Sequence, residues 1–258
     1  MIGNNACVIG DDKRMDFVAQ SLYDVGYEVT RHIEACNADS IIVLPPPVDE
    51  AATKQVIPYL MQGQRLYGGM LSNRIIHECE LREIKAVDYL KIDWLTAQNA
   101  KLTAKGIIRQ AIAKSAVPEG SHCLVIGYGF CGKAIAKELT DINASVDVMV
   151  RRRSLSDEIM DAGYGYVDIN DYDKASIDKY SYVFNTVPAM VVDSELISRL
   201  SHNVMIFDIA SAPGGTDFEY CNERGIFAML SLGIPGKEYP KEAGQIIAQT
   251  VLNDLSQS

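Results

Sequence analysis

Short apolar runs recur along this chain, and most are followed by a stretch whose apolar residues fall three or four positions apart. The first kind of run is the mark of a buried strand and the second of an amphipathic helix. In the first half the strand-like runs are 6–10 (ACVIG), 27–30 (YEVT), 39–45 (DSIIVLP) and 64–69 (QRLYGG), with helices expected at about 14–25 and after the prolines Pro45–Pro47. Residues 94–116 read as one long amphipathic helix, stopped by Pro118 and Gly120. The second half runs through 122–127, 145–150, 180–186, 203–210 and 225–233, and a last helix follows Pro240. Alternation of this kind predicts parallel sheets covered by helices. The expected organisation is α/β, with two α/β domains joined by a long helix. Residues 1–95 form an N-terminal flavodoxin- or Rossmann-like domain without a phosphate loop, and 96–118 the linker helix. Residues 119–238 form a Rossmann-type dinucleotide-binding domain, and 239–258 a C-terminal helix that packs back towards the N-terminal domain.

Composition narrows the partners. The 258 residues carry 24 Lys+Arg against 34 Asp+Glu, a net charge of −10 that disfavours nucleic acid. No apolar run approaches the roughly eighteen residues of a membrane span, and the N-terminal residues lack the pattern of a signal peptide. The six cysteines form no CxxC and the four histidines no HExxH. They read as reduced thiols of a cytoplasmic protein without a metal site.

Both halves open alike, with Cys7-Val-Ile-Gly10 and Cys123-Leu-Val-Ile-Gly127, but they continue differently. Gly10 is followed by Asp11 and Asp12, two carboxylates where a phosphate would have to sit. The second opening continues as Gly127-Tyr128-Gly129-Phe130-Cys131-Gly132 between a strand and a helix, the setting a dinucleotide fingerprint requires. Cys131 reads as a small packing residue rather than a redox thiol. About twenty residues past the last glycine, where NAD-binding proteins carry an acid for the ribose 2′-hydroxyl, this chain has Arg151-Arg152-Arg153. Forked guanidinium donors there fit a 2′-phosphate, so NADP is expected in preference to NAD.

Further loops leave the ends of expected strands, where open α/β sheets bind ligands. Asn185 and Thr186, followed by Pro188, are candidates for the nicotinamide ribose. Ser211, Gly214, Gly215 and Thr216 are candidates for a substrate carboxylate, with Thr216 or Asp217 as a helix N-cap. Asp208 and Asp217 are the candidate proton acceptors or orienting groups, and Lys241 a candidate partner for a carboxylate. From the linker helix, Asn99 and Thr103 could also reach substrate.

The stretch Ile209-Ala-Ser-Ala-Pro-Gly-Gly-Thr-Asp-Phe218, with Gly233-Ile-Pro-Gly236 and Pro240-Lys-Glu-Ala-Gly-Gln-Ile246 downstream, resembles the A subunit of dipicolinate synthase. The resemblance extends to Val187–Met190, the glycine motif and Gly10–Arg14. It implies the NADP-binding component of a two-subunit enzyme of spore-forming bacteria. With a flavoprotein-like B subunit, such a protein dehydrates and oxidises 4-hydroxytetrahydrodipicolinate, a dicarboxylate of the lysine pathway, to dipicolinate. Self-association into a homo-oligomer stays open. Four positions depart from the family pattern: Ala212 replaces arginine, Glu242 threonine, Leu102 proline and Lys105 glutamate. Two other readings also stay open. One is a self-sufficient NADP-dependent dehydrogenase resembling the shikimate or methylene-tetrahydrofolate enzymes. The other is a non-enzymatic NADP-binding scaffold.

Overall fold

A computed structural model describes residues 4–114, 120–172 and 176–257. It divides into two units, residues 1–99 with 235–258, and residues 100–234.

In the first unit, the strands β1 (Asn5–Val8), β2 (Glu28–Thr30), β3 (Ile41–Val43), β4 (Arg65–Gly68) and β5 (Lys85–Asp88) form a wholly parallel sheet. Their order is β2-β1-β3-β4-β5, the flavodoxin-like arrangement. Alternation along β1 sends Ala6 and Val8 to one face and Cys7 and Ile9 to the other, and each pair joins a separate core. Helices α1 (Lys13–Asp24), α2 (Glu50–Val56) and α3 (Asn73–Leu81) connect the strands. Their N-caps are Asp12, Asp49 and Ser72, whose side chains accept backbone N–H groups of the first turn. Helix α4 (Asp93–Lys114) begins in the first unit and continues unbroken into the second. The stop expected at Pro118 lies outside the described residues.

The second unit contains β6 (His122–Ile126), β7 (Ser145–Val150), β8 (Gly165–Asp168), β9 (Tyr182–Asn185), β10 (Met205–Asp208) and β11 (Phe227–Leu230). All pair in parallel, in the order β11-β10-β9-β6-β7-β8, so the strand sequence reverses between β6 and β9. That is the dinucleotide-fold arrangement, with its switch point where a ligand crevice opens. Helices α5 (Phe130–Asp141), α6 (Ser156–Asp161), α7 (Ser194–Arg199) and α8 (Phe218–Glu223) complete it. Leu124, Ile126, Val183 and Ile206 build one core face, while Phe184 and Phe207 stack on the other with ring centres 5.5 Å apart.

After α9 (Ile234–Glu238), helix α10 (Pro240–Ser256) begins with proline at its first position, where the missing N–H costs nothing. Its Ile247, Ala248 and Val251 enter the core formed by Val18 and Leu22 of α1. Gly244 lets the helices touch, since a Cβ there would lie 2.4 Å from the Arg14 carbonyl oxygen. Tyr67 and Lys85 both donate to Asp254 near the end of this helix, at 2.9 Å each. Strands β5 and β8 were not evident in the hydrophobic pattern. Both are sheet edges of four residues ending in aspartate, too short and too polar to register as apolar runs. No helix among the described residues is long and apolar enough to cross a membrane.

Candidate functional site

The loop from β6 to α5 is shaped by its glycines in three different ways. Gly127 has φ of +97°, and a side chain there would also strike Thr186. Gly132 sits so close to the preceding turn that a Cβ would lie 2.1 Å from the Gly127 carbonyl oxygen. Gly129 has ordinary extended backbone (φ −82°, ψ −166°), and a Cβ there would meet no protein atom within 4 Å. Nothing among the described residues demands glycine at that position. The backbone there is open to the approach of a ligand.

Gly129 is also the N-cap of α5, and no side chain caps that helix. Its first N–H groups and the positive end of its dipole are therefore available to an anion. Alongside lies a cleft of about 420 Å³ lined by Gly127, Tyr128 and Gly129 of the glycine loop, by Val187, Pro188 and Ala189, and by Arg151 and Arg152 at the end of β7. Arg151 also lines an adjoining cavity of about 380 Å³ with Tyr172 and Met190. Neither Arg151 nor Arg152 makes an ion pair among the described residues, and both are exposed. The third arginine is engaged: Arg153 Nε donates to Asp168 at 2.5 Å.

The three residues between the glycines differ in their surroundings, and Tyr128 lines the cleft. Tyr128 is 9% exposed, packs edge-on against Tyr164 and lies beneath Lys133 Nζ, 4.9 Å from its ring centre. Phe130 is exposed at the helix start. Burial pushes the Cys131 thiol above its ordinary pKa, so it is less reactive than a free thiol.

The polar candidates on β9 and β10 turn towards one another. Asn185 and Asp208 are partners in the strand register and both are fully buried. Asn185 Nδ2 donates to Asp208 Oδ2 at 3.0 Å and to the Val187 carbonyl, while its Oδ1 accepts the Val187 N–H. Thr216 donates to the same Asp208 oxygen at 2.6 Å, and the Ala210 N–H donates to Oδ1 at 2.7 Å. The carboxylate thus ties together the loops after β9 and β10, and its burial removes it from substrate. Thr186 donates to the Ile126 carbonyl. Asp217 caps α8 by accepting the Tyr220 N–H at 2.9 Å. Asn185 and Thr186, expected at the ribose, Asp208 and Asp217, expected as proton acceptors, and Thr216, expected at the substrate, thus each make a hydrogen bond within the protein that ties a loop or caps a helix.

The glycine pair has internal reasons too. Gly214 has φ of +92°, and a Cβ on Gly215 would lie 2.2 Å from Asn185 Nδ2. Ser211 remains, exposed at the tip of the loop. Asn99 and Thr103 lie one turn apart on α4, half-buried, and the first of them belongs to the first unit. Lys241 is exposed in the first turn of α10 in that same unit. Among the described residues no group of three His, Cys, Asp or Glu side chains could hold a metal ion.

The missed residue is Asp168, which no motif spacing marks because its partner Arg153 lies on a different strand's turn.

A reversed-order parallel sheet with a glycine loop at its switch point defines the class, a two-unit α/β protein whose second unit has the dinucleotide-fold arrangement. The comparisons fit this class. The D-lactate dehydrogenase of Escherichia coli superposes with a TM-score of 0.67 at 12% identity, over 98% of this chain and 97% of that one. The A subunit of dipicolinate synthase from Bacillus halodurans gives a TM-score of 0.85 at 23% identity, with both chains covered in full. In sequence, the A subunit of dipicolinate synthase from Bacillus subtilis (strain 168) is 32% identical over 174 residues, 67% of this chain and 58% of that protein. No family model matches the sequence. In sequence and in fold the chain is similar to the A subunit of dipicolinate synthase, and the aligned stretch spans less than two thirds of the Bacillus subtilis protein.

Proposed function

We propose that the second unit binds NADP(H) and that the chain is the nucleotide-binding component of a dipicolinate synthase. With a flavoprotein-like B subunit, it would convert 4-hydroxytetrahydrodipicolinate to dipicolinate in the cytoplasm. The observation that carries this reading is the cleft itself. An uncapped helix N-terminus and an open Gly129 face the place of a pyrophosphate, with two unpaired arginines at the place of a ribose 2′-phosphate.

The reaction is the loss of water and then of two hydrogens, one leaving as hydride and one as a proton. Bound in the cleft, the nicotinamide of NADP⁺ would take the hydride. This chain's residues contribute position. The Asp208 clamp fixes the loops bearing Pro188 and Ser211, which sets one wall of the cleft and keeps it from collapsing. Within this unit, Ser211 and Thr103 are candidates to hydrogen-bond a dicarboxylate substrate.

The test is dipicolinate formation, followed by ultraviolet absorbance, with this chain alone, with a cognate flavoprotein alone, and with both. Turnover only in the mixture supports the proposal. Efficient turnover by this chain alone would favour the self-sufficient dehydrogenase. Tight NADPH binding without turnover in any mixture would favour the scaffold.

A further inference from the structure

The three consecutive arginines are not equivalent. Arg151 and Arg152 line the cleft, whereas Arg153, at the start of the short helical turn Arg153–Leu155, is held away from it by Asp168. Asp168 ends β8, pairs in register with Val150 at the end of β7, and is followed by Ile169, whose N–H donates to the Val150 carbonyl at 3.1 Å. The two Asp168 oxygens divide their work. Oδ2 takes Arg153 Nε, and Oδ1 takes the backbone N–H and side-chain amide of Asn170 at 2.9 and 3.1 Å. One carboxylate therefore fastens the turn after β7, which carries the arginines, to the turn after β8, whose Ile169 lines the cleft.

The Asp168 side chain is 10% exposed and Arg153 is 75% exposed, so the anchored partner is the carboxylate and the arginine folds down onto it. Hydrogen bonds from the Asn170 backbone, and then from Arg153, hold this carboxyl below its usual pKa. It stays charged throughout the neutral range. Fixing Arg153 in this way sets the backbone direction of the residues immediately before it.

We infer that Asp168 is a positioning residue for cofactor selection: by pinning Arg153 it orients Arg151 and Arg152 towards the 2′-phosphate of NADP(H). The inference rests on the NADP reading above. It is not trivial in sign, because Asp168 is itself an anion near a bound phosphate. If its charge mattered more than its grip, removing it would tighten NADPH binding.

The experiment measures NADPH and NADH affinity by titration calorimetry on the full chain, for wild type, Asp168→Asn, Arg153→Ala and the double variant. Thermal unfolding of each, and Asp168→Glu as a conservative rescue, guard against simple misfolding. An exposed ion pair holds its partner only modestly, so the NADPH preference should fall by roughly three- to fivefold in either single variant. The double variant should lose no more than the singles, NADH affinity should stay put, and Asp168→Glu should recover part of the preference. A wild-type preference with an unchanged or increased preference in Asp168→Asn overturns the positioning role alone. Absence of any NADPH preference in the wild type overturns the NADP reading together with this inference.

Discussion

The turns after β1 and β6 begin alike and end up holding different things. Each follows a central strand at the switch point of its sheet, and each bends through a glycine of positive φ, Gly10 at +101° and Gly127 at +97°. In the first unit the helix N-terminus is filled from within. Asp12 accepts the Arg14 N–H at 2.9 Å, and the Arg14 guanidinium grips the same carboxylate while donating to the Pro46 carbonyl at 2.7 Å. A Cβ on Gly10 would lie 2.8 Å from the ring of Pro45, so proline crowds this turn. In the second unit the corresponding helix has no side-chain cap and its cleft is open. A helix N-terminus favours an anion in either case. One turn supplies the anion as a carboxylate of its own, and the other leaves the position open.

The comparison can be broken most sharply at Gly129. Gly129→Asp would give the second turn an internal carboxylate like that of the first. Like charges at pyrophosphate distance repel by roughly 4 kcal/mol at an effective dielectric of about 20. NADPH binding should vanish in calorimetry while the melting temperature barely moves, since a Cβ there meets nothing.

Next in size is Arg151→Ala with Arg152→Ala. NADPH should weaken by about 2–4 kcal/mol, for charge-assisted hydrogen bonds whose effects are not fully additive, with NADH nearly unchanged. Equal weakening of both cofactors would assign the arginines to the fold or the pyrophosphate.

In the first unit, Asp12→Ala removes a cap and leaves Arg14 without its carboxylate. Denaturant unfolding should register a loss of about 1 kcal/mol, and NADPH affinity should not change.

The smallest effect is a dependence on acid. Burial alone would raise the pKa of Asp12, but hydrogen bonds from the Arg14 side chain and backbone outweigh it and hold the group below its ordinary 3.8. At Asp254 burial likewise opposes, and Lys85 and Tyr67 prevail, again lowering the value from 3.8. A folded pKa below the unfolded one contributes stability that is fully present above 3.8 and is lost as the pH falls through the lowered values. Acid titration of stability should therefore show a smaller loss below that pH in Asp12→Asn than in wild type.

The second turn was legible in sequence because its requirements are local: glycine spacing, a strand before it and a helix after it. The arginines were legible because their distance from the last glycine is set by one helix and one strand. The jobs of Asn185, Asp208 and Thr216 were not. They depend on β9 and β10 lying side by side in a register that makes Asn185 and Asp208 neighbours, and no spacing along the chain encodes that pairing. The Asp168–Arg153 tie escaped for the same reason, because it joins the ends of two strands. In the first half, the two aspartates after Gly10 led to the expectation of a turn unsuited to phosphate, but the grip of Arg14 on Asp12 and the closeness of Pro45 to Gly10 required the fold.

The central claim is that only the second turn holds a dinucleotide. Titration calorimetry of the full chain with NADPH tests it directly, in wild type, Gly129→Asp and Asp12→Ala. The account predicts one NADPH per chain in wild type and Asp12→Ala, and none in Gly129→Asp. A second site of comparable affinity, or binding that survives Gly129→Asp and is lost in Asp12→Ala, would contradict it.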